Sequence, residues 1–135
     1  MPYTADPRVL FAAERTLLAW QRSALALMGF GFVVERFGLF LQMVMRQPQA
    51  EGQRSFSLAL GVFLLVLGAA VALLSARQFR QVVKDLDPSV VPPGYWTRLG
   101  VALNVIIAAI ALVLALHFLW GAHAMPGVAA QSSNL

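Results

Sequence analysis

The sequence predicts an all-α integral membrane protein: three transmembrane helices preceded by an N-terminal helical segment at the cytoplasmic interface. Three observations carry this reading. Of the 135 residues, 59% are hydrophobic and 12% charged, against about 25% charged in a typical soluble domain, so a water-exposed surface could not be covered. Three apolar stretches follow one another: residues 23–45 with two charges, 56–76 with none and 99–120 with none. About 20 residues of apolar helix cross the roughly 30 Å hydrocarbon core, and the short alternating segments of a transmembrane barrel are absent.

Each element has a local signal. Asp6-Pro7 reads as a helix start, with Asp as N-cap and Pro at the first helical position, where its missing amide proton costs nothing. From Arg8 to Gln21 a helical segment follows, with Trp20 placed to anchor at headgroup level. The first span then runs to Met45. Gln47 to Ser55 reads as a loop, with Ser55 or Ser57 capping the second span. The prolines between Asp85 and Thr97 stop any helix before Thr97 caps the third span. Residues 121–135 are small and polar and read as a loosely ordered extracytoplasmic tail. The whole chain, 1–135, reads as a single membrane domain. Its start lacks the basic residues of a secretory signal peptide.

Orientation follows from Arg and Lys near the span ends. Arg8, Arg15, Arg22, Arg77, Arg80, Lys84 and Arg98 lie on one side, and Arg46 and Arg54 on the other. The N-terminus is therefore expected in the cytoplasm and the C-terminus outside.

The charges inside the first helix are the strongest functional signal. Arg8, Arg15, Arg22 and Arg36 share a seven-residue grid, with Gly29 in the empty slot. Such side chains drift only about 20° per heptad and share one face. Glu35 and Arg36 fall within the apolar stretch, where each charge costs roughly 2.5–3.5 kcal/mol at a helix centre. Neighbours in sequence point about 100° apart, which rules out the usual i,i+4 pair, so their partners are expected on another helix or subunit. Three readings stand: a buried clamp, a charge lining an aqueous path, and Arg36 snorkelling to the interface. Asn104 is the one amide in the third span and starts near its cytoplasmic end.

Glu14, Arg15, Gln21 and Arg22 form a polar cluster at the cytoplasmic mouth. Arg77, Arg80 and Lys84 continue the second span and read first as positive-inside flank, second as a site for an anionic lipid or phosphate-rich ligand. Small residues mark helix contacts: Gly61, Gly68 and Ser75 on the second span, and Gly100, Asn104, Ala108, Ala111 and Ala115 on the third. Enzyme chemistry has little to rest on. There is no cysteine, no Ser-His-Asp set, no carboxylate pair and no nucleotide cradle, and His117 and His123 are too sparse for a metal site. No cofactor or nucleic-acid partner is expected. Membrane lipids are, together with a homo-oligomer or a second membrane protein joined through the first two spans, with Gly68 in the contact.

The stretch Asp6-Pro7-Arg8, Glu14-Arg15-Thr16-Leu17-Leu18-Ala19-Trp20-Gln21-Arg22, the run Ala24 to Phe32, and Arg36-Phe37 resembles the YidH family, small bacterial inner-membrane proteins of the DUF202 type. The resemblance implies a three-span plasma-membrane protein with its Glu-Arg-Thr helix in the cytoplasm. It extends more distantly to the membrane part of the eukaryotic vacuolar transporter chaperone complex, where several copies surround a basic path for polyphosphate. Only Glu14-Arg15-Thr16, Leu18 and Trp20 match that shared motif closely. By position, Arg15, Arg22 and Arg77 are the candidates for a similar role. Two function classes follow: a structural or accessory membrane subunit, and a homo-oligomeric anion path lined by arginines.

Overall fold

The computed structural model describes residues 5–45 and 50–124. Three helices make up nearly all of it: α1 (Pro7–Met45), α2 (Ala50–Asp85) and α3 (Thr97–His123). All three are long and apolar enough to cross a membrane. The fold is all-α, as the composition and the three apolar stretches predict.

The first helix is one continuous rod, so the expected interfacial segment and the first span are a single element. Its start follows the sequence signal: the Arg8 amide donates to the Asp6 side chain at 2.9 Å, and the Val9 amide to the Asp6 carbonyl at 3.1 Å. The second helix begins well before its apolar run. Ala50 to Ser55, expected as loop, are helical, because nothing in this Ala-, Glu- and Gln-containing stretch breaks a helix except one glycine. Ser55 and Ser57 therefore lie inside α2 and cap nothing. Between α2 and α3 the chain makes a short 3₁₀ turn at Pro88–Val90, capped by Asp87 through the Ser89 amide at 3.1 Å. Gly94 adopts φ +87°, a region closed to most side chains. Thr97 does not cap α3: it is the first helical residue, and Trp96 stands at the cap position without a side-chain hydrogen bond. The third helix continues through Gly121–His123. The rest of the expected tail, from residue 125, lies outside the described residues, as do residues 46–49 of the expected loop.

The second helix is the middle of the fold. It packs along α1 on one side and α3 on the other, and α1 and α3 scarcely meet. On α1 five buried positions fall on one heptad, Leu10, Leu17, Ala24, Gly31 and Gly38, and Gln21 and Met28 are buried beside it. On α3 they are Asn104, Ala108, Ala111, Ala115 and Phe118. The small residues singled out from sequence on α2 and α3 lie on these contact faces, together with Phe118 and, on α2, Leu65, Ala69, Ala72 and Phe79.

Glycine sets the α1–α2 distance. A Cβ at Gly31 would stand 2.8 Å from the Gly61 carbonyl oxygen, and one at Gly61 would stand 2.8 Å from the Gly31 carbonyl oxygen. Farther along, a Cβ at Gly68 would meet the Met28 side chain at 2.7 Å and the Ala24 carbonyl at 2.9 Å. Gly68 therefore packs within the protomer. The expectation that it joins separate copies is corrected: α1 of the same chain already fills the space. At Gly38 the partner is Ser57, whose hydroxyl donates to the Val34 carbonyl at 2.8 Å.

These contacts predict opposite outcomes for two glycines, one on each of these helices. Gly61→Ala should destabilise the detergent-solubilised protein by about 1–3 kcal/mol, the usual cost of overpacking. Gly29→Ala should be neutral or stabilising by up to about 1 kcal/mol, since nothing lies within 4 Å of the added methyl and alanine favours helix. Reversible unfolding in mixed micelles, followed by circular dichroism, measures both.

Candidate functional site

Polar side chains collect at three levels of this bundle. The first is the end that carries Arg8, Arg15, Arg77, Arg80, Lys84 and Arg98. Here the α2–α3 connection is tied onto α1. The Tyr95 hydroxyl donates to the Glu14 carboxylate, and the Tyr95 ring meets Phe11 edge-on, with centroids 6.2 Å apart and planes at 84°. The carboxylate stabilises the phenol over the phenolate, so the Tyr95 pKa is pushed up from 10.0 to about 12, with burial adding to the effect. Thr16 spends its hydroxyl on its own helix, at 3.0 Å from the Ala12 carbonyl. Thr16 and Trp20 line an open groove of about 420 Å³ between α1 and α2, facing Gln78, Gln81 and Asp85.

The second level is the interior. Asn104 is fully buried. Its Nδ2 donates to the Ser75 hydroxyl at 3.0 Å, and that hydroxyl donates to the Ala72 carbonyl at 2.9 Å. Asn104 Oδ1 has no partner. The amide therefore does not approach Glu35 or Arg36. It fastens α3 to α2, which is worth roughly 1 kcal/mol for a hydrogen bond between membrane helices.

The third level holds Glu35 and Arg36. They pair with each other: Arg36 Nε lies 3.6 Å from Glu35 Oε2. This contact within α1 is not the i,i+4 kind, and it forms because two long side chains curl across the angle that separates adjacent helix positions; the expected partner on another helix is present for Arg36 in Phe118 of α3. The contact is too long for a hydrogen bond, and Glu35 Oε2 is buried without one. The Arg36 guanidinium lies over the rings of Phe32, 5.4 Å from its centroid, and Phe118, at 5.7 Å. Such cation–π contacts contribute from about 0.5 to 2 kcal/mol, more when desolvated. Arg36 thus bridges α1 to α3 where the two helices otherwise barely touch. Arg54 and His117 join Glu35 and Arg36 around a recess of about 160 Å³.

A heptad logic unites the polar positions of α1. Glu14-Arg15, Gln21-Arg22, Met28-Gly29 and Glu35-Arg36 recur every seven residues. The first member of each pair turns inward: Gln21 and Met28 are buried, and Glu14 and Glu35 are half-buried. The second member faces out: Arg15, Arg22 and Gly29 are exposed, and the Arg36 side chain is 52% exposed. The arginine grid is therefore an outer stripe of the protomer. Arg77, Arg80 and Lys84 are exposed as well, and Arg80 and Lys84, but not Arg77, border a cavity shared with the start of α3.

Sequence reasoning missed Tyr95, Phe32, Phe118 and Arg98. The i,i+4 spacing of Phe32 and Arg36 was a usable signal. The other contacts join residues far apart in sequence. Among the described residues, no three His, Asp or Glu side chains gather as a metal site.

Two predictions follow from these contacts. In a Tyr3→Phe background, the tyrosinate absorbance of Tyr95 should titrate near pH 12, and Glu14→Gln should return the midpoint toward 10. The folded pKa lies above the unfolded one, so the latch's contribution is whole below about pH 10 and is lost as pH rises through about 12. At the opposite end, Arg36→Met should lower the yield of monodisperse protein, because it strands the buried Glu35 oxygen. Adding Glu35→Gln should restore much of that yield. Size-exclusion chromatography of both variants checks this.

No curated protein and no solved structure matches the chain. A family model does: the domain of unknown function DUF202, over residues 8–85. The match takes in α1 with its paired heptads and α2 to its last residue, more than half of the chain, and the protein belongs to the DUF202 family.

Proposed function

We propose that this protein is a non-catalytic accessory or structural subunit of a bacterial inner membrane, with its basic end in the cytoplasm, that works by assembling with further copies of itself or with another membrane protein. The observation that carries this reading is the position of Arg22. Leu17 packs against Gly100, in the first turn of α3. Arg22 is five residues farther along α1, about 7.5 Å deeper at 1.5 Å per residue. It stands exposed on the outer face, beside the apolar part of the bundle. A charge there is costly against lipid, and snorkelling recovers only part of the cost. A protein surface that supplies a carboxylate or carbonyl oxygens removes it. The glycine faces of α1 and α2 are already spent inside the protomer, which leaves the arginine stripe as the distinctive outer surface.

A second reading uses the same stripe. In a ring of copies, Arg15, Arg22 and Arg36 would face a common axis and attract anions, as the distant resemblance to the polyphosphate-conducting complex suggests. Stacked guanidiniums also trap what they attract, since conduction needs weak and divided binding. The scaffold reading asks less of the molecule.

Native mass spectrometry of the protein in nanodiscs separates these readings. Wild type should appear as an oligomer or a defined complex, and Arg22→Glu should reduce that species by roughly tenfold or more, as like-charge or unpaired contacts do. A monomer unaffected by the substitution would overturn the assembly reading. Flux of chloride, phosphate or short polyphosphate into proteoliposomes, abolished by Arg22→Glu while the oligomer persists, would favour the anion path.

A further inference from the structure

We propose that the cavity between the end of α2 and the start of α3 binds the phosphate of an anionic glycerophospholipid. The cavity measures about 560 Å³ and is lined by Phe79, Arg80, Val83, Lys84, Thr97, Arg98, Val101 and Ala102. That volume falls within the range of about 300–1,000 Å³ usual for small-molecule sites.

Its chemistry is divided in the way such a lipid is divided. Arg80 and Lys84 come from one face of α2, four residues apart, and Arg98 comes from α3. No carboxylate lines the cavity, so three cations border it with no lining group to neutralise them. Thr97 adds a hydroxyl donor. The α3 terminus behind it has Trp96 at the cap position with no side-chain hydrogen bond; the Thr97 and Leu99 amides donate to the Tyr95 and Trp96 carbonyls, and the helix dipole adds a further positive field. The other wall is apolar. Phe79 is buried, Val83 and Val101 are half-buried, and Ala102, within the third apolar stretch, is exposed. A phosphate among the cations would leave its acyl chains running along Val101 and Ala102 into the membrane. A free phosphate would gain nothing from that wall. Basic pockets between membrane helices are suited to such headgroups, and each cation near the surface adds about 1 kcal/mol of attraction. The site rests on α2 and α3 alone and holds whether or not the protein assembles through α1.

The structure also redraws the basic flank. Arg77 lies on the same helix within one turn of Arg80 but does not border the cavity. It serves as the internal control. The protein would be placed in nanodiscs of phosphatidylcholine with a minor fraction of phosphatidylglycerol, and lipid retention read by native mass spectrometry under increasing activation. Wild type should keep one phosphatidylglycerol per protomer in preference to phosphatidylcholine. Arg80→Gln with Lys84→Gln should lower that preference by roughly thirtyfold, the effect of two surface cations. Arg8→Gln with Arg77→Gln, which removes the same charge outside the cavity, should lower it far less. Ala102→Trp should also release the lipid, because it fills the apolar wall without changing charge. Equal losses from the two double variants would overturn the site in favour of diffuse surface charge. Displacement of the lipid by excess inorganic phosphate, with Ala102→Trp as retentive as wild type, would overturn the lipid assignment in favour of a free anion. Circular dichroism of each variant confirms that it is folded, and Lys84→Gln alone, on an exposed side chain, provides a mild variant in which partial loss is still expected.

Discussion

Where Gly31 meets Gly61 the backbones of α1 and α2 touch with no side chain between them, and each glycine leaves room for the other's carbonyl oxygen. In a bilayer this contact has to do what hydrophobic burial does in water. Lipid tails are as apolar as leucine, so helices gain little by hiding Leu or Val from them and associate instead through close packing and a few polar contacts. The exposed surface of the protomer shows the consequence: Phe30, Val33, Phe37 and Phe63 face outward, while Gly31, Gly61, Gly68 and Ala69 face inward. Bulk is outside and smallness is inside. The close approach also brings the α2 backbone near enough for Ser57 to donate to the Val34 carbonyl. That hydroxyl is paired in a region where an unpaired one would be costly.

The third helix is held differently. It leans on α2 through an alanine face and scarcely reaches α1, so its attachment depends on a few polar and aromatic contacts. These are spread along its length. Tyr95 and Glu14 tie the entry to α3, Asn104 and Ser75 tie its first half, and Arg36 with Phe118 ties its far end. Each contact involves a residue that would be costly alone in lipid, and each is offset by a partner on another helix. Two buried oxygens remain without a hydrogen bond: Asn104 Oδ1, and Glu35 Oε2, which has only a 3.6 Å ion contact.

Much of this was legible in the sequence. The three apolar stretches, Asp6-Pro7 as a start, and the small-residue faces of α2 and α3 each rest on local composition or a short repeat, and the helices follow them. Other expectations failed where a local signal has two meanings. Ser55 and Ser57 look like caps, but a serine within a longer helix serves equally well as a donor to the neighbouring helix. Thr97 looks like a cap, but the backbone turns one residue earlier. Gly29 and Gly31 are indistinguishable by type, yet one faces open space and the other fixes the α1–α2 distance. Only the phase of the heptad separates them, and that phase is set by which face α2 occupies. The Arg36–Phe118 and Glu14–Tyr95 contacts join residues 82 and 81 positions apart. No periodicity within one helix encodes them.

The DUF202 match ends at Asp85, where α2 ends, and α3 lies beyond it. The matched part contains the glycine-packed pair of α1 and α2 and the paired heptads of α1. What lies beyond it adds partners to that pair of helices: Tyr95 for Glu14, Asn104 for Ser75 and the Phe118 ring for Arg36. The third helix therefore acts less as a third wall of a core than as a cover for charges and donors that α1 and α2 leave open. It does not cover Arg15 and Arg22. They are exposed on α1, and among the described residues no other element covers them. This exposed charged stripe on α1 is the surface on which the proposed assembly rests.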